Sequence, residues 1–431
     1  MITAVRPAES RVRWTICALL FFATTINYVD RQVLSMLAKT LETSIGWNNI
    51  EYGNITTAFT TAYAISMLGA GRLLDKFGTR IGFGIAVAVW SVAAMAHAAA
   101  TTAFTFGLAR VFLGLGEAAN FPACIKTVAD WFPKKERASA TGLFNAGANV
   151  GAIVAPLTVP WLAAKFGWQA AFLATGALGF VWLAAWLVMY SKPQEHSRVS
   201  KSELALIESD PPDKVGNYHW MRLLPKKETW AFALGKFLTD PIWWFYLFWL
   251  PKYLQETFGL TLSQIVVPTL VVYNASSVGS VAGGWLSSSL IQRGWSINSA
   301  RKTAMLTCAL AVVPVMYAPY AGNMWLVVGL VSLATAAHQG WSANLFTTPS
   351  DMFPRAAVGS VVGIGGAMGA LGSALMQQLA GHLVHPVSLT TTPAELRASY
   401  IILFMISGSA YLVALAVVQS LSPKLAQADL D

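Results

Sequence analysis

The chain has 431 residues, of which 55% are hydrophobic and only 11% are charged. Soluble globular domains carry about 25% charged residues, so this composition excludes an ordinary soluble domain and indicates a protein of the lipid bilayer. The formal net charge is +9, and the basic residues lie between apolar segments, which is typical of membrane topology. We therefore expect the lipid bilayer as a partner and no nucleic acid.

Twelve apolar stretches are candidate membrane spans, because a helix crosses a bilayer with about 20 mainly apolar residues. In chain order they lie at residues 12–37, 50–74, 80–101, 104–128, 138–165, 168–190, 228–256, 263–291, 299–319, 324–347, 356–384 and 398–420. The first has no small-residue cleavage site, so we interpret it as an uncleaved span. The pattern predicts an all-α membrane protein with twelve transmembrane helices.

The spans divide into six and six around a polar segment. We predict an N-terminal six-helix bundle over residues 1–190, a cytoplasmic linker over 191–227 and a C-terminal six-helix bundle over 228–431. Within the linker, Ser200 and Glu203 have the spacing of a capping box, which predicts a short amphipathic helix. Lys and Arg cluster before span one, after the even-numbered spans and in the linker, which places both termini in the cytoplasm.

The two halves share a weak sequence repeat. The motif DWFP that follows span four returns 221 residues later, after span ten, as DMFP. The same offset carries Glu117 onto His338 and Gly151 onto Gly372. An ionisable residue therefore stands at matching depth in each half, and such repeats are common in secondary transporters, whose sites lie near the midplane between the repeats.

Span one contains two adjacent charged residues, Asp30 and Arg31. A charge at the bilayer centre costs roughly 2.5–3.5 kcal/mol on insertion scales, so membrane helices carry one mainly where function requires it. Adjacent side chains diverge by about 100° on a helix, so these two cannot simply neutralise each other. We expect each to have a separate partner in a polar pathway or site between helices.

Between spans two and three, residues 71–80 read GRLLDKFGTR. This segment resembles the signature loop of the major facilitator superfamily, with the matching positions Gly71, Asp75, Lys76, Gly78 and Arg80. The resemblance extends over about residues 12–420. It implies the major facilitator fold, in which two pseudo-symmetric six-helix bundles work by alternating access.

Finer detail resembles one branch of that superfamily, the anion:cation symporter family. The segments that carry this resemblance are NYVDR at residues 27–31 and RVFLGLGEA at residues 110–118. Three shorter segments are most similar to hexuronate transporters: FNAG at 144–147, FLTDP at 237–241 and AHQ at 337–339. Asp30 is a departure, because some hexuronate transporters lack this acid and galactonate-type members have it. The resemblance implies a sugar-acid anion as substrate and leaves the particular sugar acid open.

The charged residues of spans one and four are candidate coupling and anchoring groups. Glu117 and Arg110 are seven residues apart and share a helix face, so Glu117 can carry a proton while Arg110 holds its charge; the alternative is a structural ion pair. Arg31 presents a planar fork that suits a carboxylate. We assign it to the substrate, the alternative being an assembly partner of Glu117 or Asp240. Asp30 is either a second protonation site or a hydrogen-bonded brace to Arg110 or Asn27.

Seven further residues are predicted to bind the body of the substrate. Two asparagines one turn apart could bind hydroxyls, and a tryptophan could pack against the apolar face of a sugar, with lipid-belt or core packing as its alternative. A histidine that titrates near neutrality is either a site residue or a hydrogen-bonded structural residue. Together with Arg31, the predicted set is Tyr63, Asn145, Asn149, Trp243, Tyr273, His338 and Gln339.

The sequence contains no paired catalytic carboxylates with metal ligands, no nucleophile elbow and no phosphate loop, so we expect no enzyme activity, no metal and no cofactor. The hypothesis is a proton-coupled symporter that imports a sugar-acid anion, a hexuronate such as galacturonate or glucuronate. We expect a monomer in the cytoplasmic membrane of a bacterium. The alternative is a symporter for another organic anion, such as galactonate or glucarate.

Overall fold

The computed structural model describes residues 10–209, 220–384 and 393–429, and in these ranges every regular element is helical. The first half contains α1 (Val12–Met36), α2 (Ala38–Ile45), α3 (Asn49–Ala96), α4 (Ala103–Glu117), α5 (Asn120–Trp131), α6 (Lys134–Phe166) and α7 (Trp168–Met189). Two short helices follow, α8 (Lys201–Ile207) and α9 (Trp220–Leu223). The second half contains α10 (Lys227–Phe258), α11 (Val266–Gln292), α12 (Ile297–Val312), α13 (Met324–Leu345), α14 (Thr348–Met352), α15 (Arg355–Leu383), α16 (Pro393–Ser399) and α17 (Ile401–Leu421).

Eight segments of the described chain are long and apolar enough to cross a membrane. They are Val12–Met36, Lys76–Ala99, Ala140–Phe166, Trp168–Met189, Val266–Gln292, Ile297–Tyr320, Ala357–Leu383 and Glu395–Leu421. The predicted spans two, four, seven and ten are outside this set. Each of these four holds a polar candidate residue, Tyr63, Glu117, Asp240 or His338, and span four is also divided between two short helices, α4 and α5.

Glycine and proline explain two departures from the predicted span boundaries. Spans two and three form one helical element, α3, which has a non-helical residue at Gly78 (φ 75°, ψ 159°). The predicted signature loop is therefore helix with a change of direction at Gly78, where glycine adopts a positive φ without steric cost. Span four breaks after Glu117, because Pro122 has no N–H to donate to the carbonyl oxygen of Ala118.

The sequence repeat corresponds to a repeated contact between helices. In the first bundle, α6 packs against α1 at Gly151, where an added Cβ would lie 2.5 Å from the carbonyl oxygen of Thr25. In the second bundle, α15 packs against α10 at Gly372, where an added Cβ would lie 2.3 Å from the carbonyl oxygen of Phe237. Small residues allow backbones in membranes to approach this closely. The same kind of contact thus orders the matching helices of both bundles.

The two bundles meet tightly at the end opposite the chain termini, which we call the far end. There α3 crosses α15 at Gly53 and Gly381, and a Cβ added to Gly53 would lie 2.9 Å from the Cα of Gly381. The Tyr52 hydroxyl beside this crossing donates to the Phe248 carbonyl of α10 at 2.6 Å. Near the opposite end of α15, a Cβ on Gly359 would meet no atom within 4 Å. The interface between the bundles is therefore closed at the far end.

The linker helix α8 is attached to the first bundle. The Ser200 hydroxyl accepts a hydrogen bond from the Glu203 N–H at 3.1 Å, which is one half of the predicted capping box. The other half is wrong: the Glu203 carboxylate accepts from the backbone N–H groups of Val12 and Arg13, each at 3.1 Å. These N–H groups begin α1 and have no partner within that helix. Glu203 caps α1 because the positive end of the helix dipole favours a carboxylate.

Candidate functional site

The centre of the candidate site is an ion pair between α1 and α4. Arg31 Nε lies 2.5 Å from Glu117 Oε2, and the two side chains are 5% and 0% exposed. Arg110 shares the helix face of Glu117 and was expected to hold its charge. The hydrogen-bonded partner of Glu117 is instead Arg31, which is the pairing given as the alternative role of Arg31. A buried carboxylate that occupies a guanidinium competes with any other anion for it. Protonation of Glu117 would remove that competition and leave Arg31 free to bind a carboxylate.

Aromatic rings surround the Arg31 guanidinium. Its central carbon lies 4.9 Å from the ring centre of Tyr28, 4.8 Å from Tyr63 and 5.2 Å from Trp244. Tyr28 and Tyr63 belong to the first bundle, and Trp244 lies on α10 in the second. The faces of these rings attract a cation and exclude water around it. Arg31 therefore lies where the two bundles meet.

Two further charged residues lie behind the Arg31 pair within the first bundle. Arg110 is fully buried, and none of its guanidinium nitrogens forms a hydrogen bond in the described part of the chain. Asp30 is 2% exposed and lies near Thr175, with Glu117 and Arg110 close enough to act on its charge. Among the described residues, neither Arg110 nor Asn27 forms the hydrogen bond to Asp30 that was the alternative to its protonation. The first bundle thus buries ions whose charges depend on one another.

The second bundle contributes a neutral polar cluster at the matching depth. The ring of Trp243 stacks on His338, with ring centres 5.4 Å apart and planes 7° from parallel. Nδ1 of His338 shares a 2.6 Å hydrogen bond with the Tyr411 hydroxyl of α17. Tyr273 lies at the edge of Trp243, with 6.5 Å between ring centres. The structure brings three predicted site residues together here and holds the histidine by packing and one hydrogen bond.

Lys236 and Asp240 of α10 form an ion pair beside this cluster. Lys236 Nζ lies 2.7 Å from Asp240 Oδ2, one helical turn away. The ammonium also lies 4.1 Å from the ring centre of Phe346. A pair four residues apart on one helix is mutually satisfied, so neither charge requires a partner from the first bundle.

Three predicted substrate-binding residues are not joined to the Arg31 pair by any hydrogen bond in the described chain. Asn145 is exposed and Asn149 is half-buried on α6. Each lies two residues from Gly147, which faces α1, so both amides lie on the side of α6 opposite that contact. Gln339 is half-buried on α13, next to His338.

The signature segment lies midway along α3 (Asn49–Ala96), on the side of the molecule where the chain termini lie. Gly71, Lys76 and Gly78 are exposed. Arg80 donates to the Leu187 carbonyl of α7 at 2.5 Å, which ties this turn of α3 to its neighbour. Asp75 lies in α3, but its side chain is outside the described part of the structure.

Four charged residues join the two bundles at the far end. Lys252 and Glu256 of α10 lie 2.9 Å apart, and Lys252 also contacts Glu42 of α2. Lys39 of α2 lies 3.5 Å from Glu42 and 3.7 Å from Glu256. The side chains of Lys252 and Glu256 are 1% and 0% exposed. Opening the far end must therefore separate buried opposite charges, which is costly unless new partners replace them.

Sequence reasoning missed three neighbours of the site. Tyr28 could have been identified from the sequence, because it lies three residues before Arg31 and therefore on the same helix face. Phe59, whose ring centre is 5.7 Å from both the Arg31 and the Arg110 guanidinium, lies four residues before Tyr63. Tyr411 had no signal, because its contact with His338 joins residues 73 positions apart.

Comparison with known proteins gives a consistent set of likenesses. Residues 20–376 match the Major Facilitator Superfamily. The chain is 30% identical over 387 residues to the hexuronate transporter of Escherichia coli K12, covering 88% of this chain and 89% of the relative. It is 29% identical to a D-galactonate transporter of Escherichia coli O6:H1, covering 89% and 91% of the two chains. A probable galactarate/D-glucarate transporter of Bacillus subtilis is 28% identical, with 89% and 88% covered.

A solved structure shares the fold. The crystal structure of a bacterial homologue of the human lysosomal transporter Spinster, in an inward-facing and unoccupied conformation, superimposes with a TM-score of 0.76. The two sequences are 18% identical, and the match covers 96% of this chain and all of the other. These likenesses confirm the predicted fold class of twelve helices in two six-helix bundles. The relatives are transporters, and none is an enzyme.

Proposed function

Because the chain belongs to the Major Facilitator Superfamily, we propose that it is a proton-coupled symporter that imports a sugar-acid anion by alternating access. The proposed substrate is a hexuronate such as galacturonate or glucuronate. Both termini are proposed to lie in the cytoplasm of a bacterium, with the chain as a monomer in its cytoplasmic membrane. The predicted division into residues 1–190, 191–227 and 228–431 provides the two moving bundles and their linker.

One observation carries this proposal: Glu117 occupies Arg31 in a buried pair where the two bundles meet. A proton and a carboxylate anion can replace that pair together. The proton neutralises Glu117, and the anion takes its place on the Arg31 fork. Either partner alone leaves a buried charge unpaired, and an unpaired buried charge is strongly destabilising.

The charge balance explains why the two ligands move together. With Glu117 ionised and no substrate, Arg31 and Glu117 satisfy each other. With a proton on Glu117 and a carboxylate on Arg31, the site is again neutral, and the rings of Tyr63 and Trp244 can close around it. The half-loaded states are the unfavourable ones, so the bundles move mainly when the site is empty or fully loaded.

The second bundle is proposed to bind the body of the sugar acid. Trp243 offers a flat apolar face, and the rings of His338 and Tyr273 lie against it. Sugar rings present apolar C–H faces and polar edges, which suit a tryptophan beside hydrogen-bonding groups. The Tyr273 hydroxyl has no hydrogen-bond partner in the described chain, so it is available to a substrate hydroxyl.

The test is uptake by purified protein in lipid vesicles. Radiolabelled galacturonate should accumulate when the outside is made acidic, and a protonophore should abolish accumulation. A sodium gradient without a pH gradient should not support it. Accumulation driven by sodium alone would contradict proton coupling.

Galactonate or glucarate is the alternative substrate, favoured by relatives of nearly equal identity. A thermal-shift panel of sugar acids at two pH values separates the candidates. Stabilisation by hexuronates above all other acids would support the main proposal. Stabilisation by galactonate or glucarate alone would replace the substrate and keep the coupling mechanism.

A further inference from the structure

The Lys236–Asp240 pair suggests how the protein selects among sugar acids. The two ends of this pair are not equally open, since the side chain of Lys236 is 6% exposed and that of Asp240 is 18% exposed. Lys236 is covered by the ring of Phe346. The carboxylate is therefore the more accessible end of the pair, and the ammonium is the covered end.

The position of the Asp240 carboxylate is fixed by a glycine on the neighbouring helix. A Cβ added to Gly369 of α15 would lie 2.2 Å from Asp240 Oδ2 and 2.9 Å from its Cγ. Any larger residue at that position would displace the carboxylate. Gly369 thus leaves the space in which Asp240 reaches back to Lys236.

Asp240 lies on α10 one helical turn from the residue that contacts Arg31. Asp240 and Trp244 are four residues apart on one face of α10, a rise of about 6 Å along the helix, and Trp244 contacts Arg31. A sugar acid whose carboxylate binds Arg31 would therefore extend its other end toward Asp240.

We propose that Asp240 restricts the site to sugar acids that carry a single carboxylate. This inference rests on the proposed function and names the substrate class within it. A uronate or aldonate has hydroxyls at its second end, and these donate hydrogen bonds to a carboxylate. An aldarate has a second carboxylate there, which the fixed charge of Asp240 repels. Repulsion of the wrong partner is an established source of specificity.

Lys236 has a defined role in this selection. While Asp240 is ionised, Lys236 is neutralised by it and cannot attract a second carboxylate. Removal of the Asp240 charge would free Lys236 as a receptor for that carboxylate. The charge of Asp240 thus determines whether the site favours sugar acids with one carboxylate or with two.

The test compares binding of D-galacturonate and D-galactarate to the purified full-length protein. Wild-type protein should bind galacturonate at least about 10-fold more tightly than galactarate, which is a difference of about 1.4 kcal/mol. Asp240→Asn should lower this ratio by about 10-fold or more. Asp240→Glu keeps the charge and should keep the preference for galacturonate. In the double variant Lys236→Met/Asp240→Asn the gain in galactarate binding should be lost, because the freed ammonium is absent.

The matched control is Asp351→Asn, which breaks an ion pair with Arg301 of nearly equal length, 2.6 Å, outside the site. It should leave the ratio unchanged. Equal binding of both anions by wild-type protein, or an unchanged ratio in Asp240→Asn, would overturn this inference and leave the proposed transport of sugar acids standing. Binding of neither anion by wild-type protein would overturn both this inference and the proposed hexuronate substrate. The wild-type comparison needs no variant, so poor folding of Asp240→Asn does not remove the test.

Discussion

The two bundles approach the same site with different chemistry. The first bundle contributes ions, with Arg31 held by Glu117 and with Arg110 and Asp30 buried behind them. The second contributes stacked rings and a self-satisfied ion pair, Lys236–Asp240. Although Glu117 and His338 occupy matching places in the sequence repeat, Glu117 forms a buried ion pair and His338 is a stacked ring held by a hydrogen bond.

We infer from this difference that the first bundle couples transport to protons and the second recognises the substrate. Buried ions that depend on one another respond strongly to a proton, and so the first bundle is suited to coupling. A ring cluster held by packing changes little with charge and is suited to recognising the shape of the substrate. The internal repeat therefore preserves the helix contacts of Gly151 and Gly372 while the side chains at the site have diverged.

The most disruptive change to the first bundle should be Arg31→Ala. It removes the proposed carboxylate receptor and leaves Glu117 buried without its partner, so uptake should be abolished and stability should fall by about 3–5 kcal/mol. Thermal denaturation in detergent and vesicle uptake measure the two effects. The double variant Arg31→Ala/Glu117→Ala should regain much of the stability without regaining uptake.

The control for that experiment is Arg301→Ala, which removes a more exposed ion pair with Asp351 in the second bundle. A surface pair is worth about 0–1 kcal/mol, so the loss of stability should be much smaller. Equal losses in the two variants would show that burial of the Arg31 pair does not matter.

Next in size should be the effect of Glu117→Gln. The amide cannot carry the proton, so accumulation driven by a pH gradient should be lost. Exchange of substrate across the vesicle membrane should remain, because Arg31 is then permanently free of its competing carboxylate. Counterflow and gradient-driven uptake separate these activities. If Glu117→Gln still accumulates substrate, the coupling assignment is wrong.

A smaller effect is expected in the second bundle from Tyr411→Phe. This change removes the hydroxyl that holds His338, and a hydrogen bond of this kind contributes about 1 kcal/mol. The KM for substrate should rise about 5-fold, and the response to a pH gradient should be unchanged. Tyr317→Phe, at an exposed position, is the matched control. Loss of the pH response in Tyr411→Phe would contradict the division between the bundles.

The smallest effect on transport should come from Glu203→Gln, which lies outside the site. Partial burial acts to raise the pKa of Glu203, but hydrogen bonds from Ser10 and from the N–H groups of Arg13 and Val12 hold it below its usual value. Its stabilisation is therefore complete above the pKa of an unfolded glutamate, about 4.3, and is lost as the pH falls through the lower folded pKa.

Glu203→Gln should accordingly lower stability at pH 7 by about 1 kcal/mol, the usual contribution of a helix cap. The difference from wild type should disappear as the pH falls below about 4. Thermal melts over a pH series measure this, and uptake at pH 7 should be unchanged. A pH-dependent change in coupling would show that the linker helix takes part in transport.

Sequence reasoning predicted the helices better than their contacts. Apolar length located the spans, and glycine and proline chemistry accounts for the breaks at Gly78 and Pro122. The pairing of Arg31 with Glu117 could be named only as one of several alternatives, because helix periodicity compares only residues of one helix. Helix periodicity correctly placed Arg110 on the same helix face as Glu117. The pairing of Glu117 with Arg31 depends on how α1 packs against α4.

The same limit applies to contacts between the bundles. Lys39 and Lys252 lie more than 200 residues apart in the sequence, yet they form a network with Glu42 and Glu256 at the far end. A capping box was predicted between Ser200 and Glu203. The Glu203 carboxylate instead caps the start of α1, where it accepts a hydrogen bond from the N–H of Arg13, 190 residues earlier in the chain. In both cases the partners are far apart in the sequence and are brought together only by the fold.

The crossing of Gly53 and Gly381 at the far end has a consequence for the entropy of closure. Fixing a long side chain such as lysine costs up to about 2 kcal/mol of rotamer freedom, whereas glycine has no side chain to fix. Backbone contact at these two residues therefore adds to closure without ordering a rotamer of its own. The contact can form and separate at small entropic cost, so the cost of each closure lies mainly in the charged side chains beside it, whose rotamers and charges must both be accommodated.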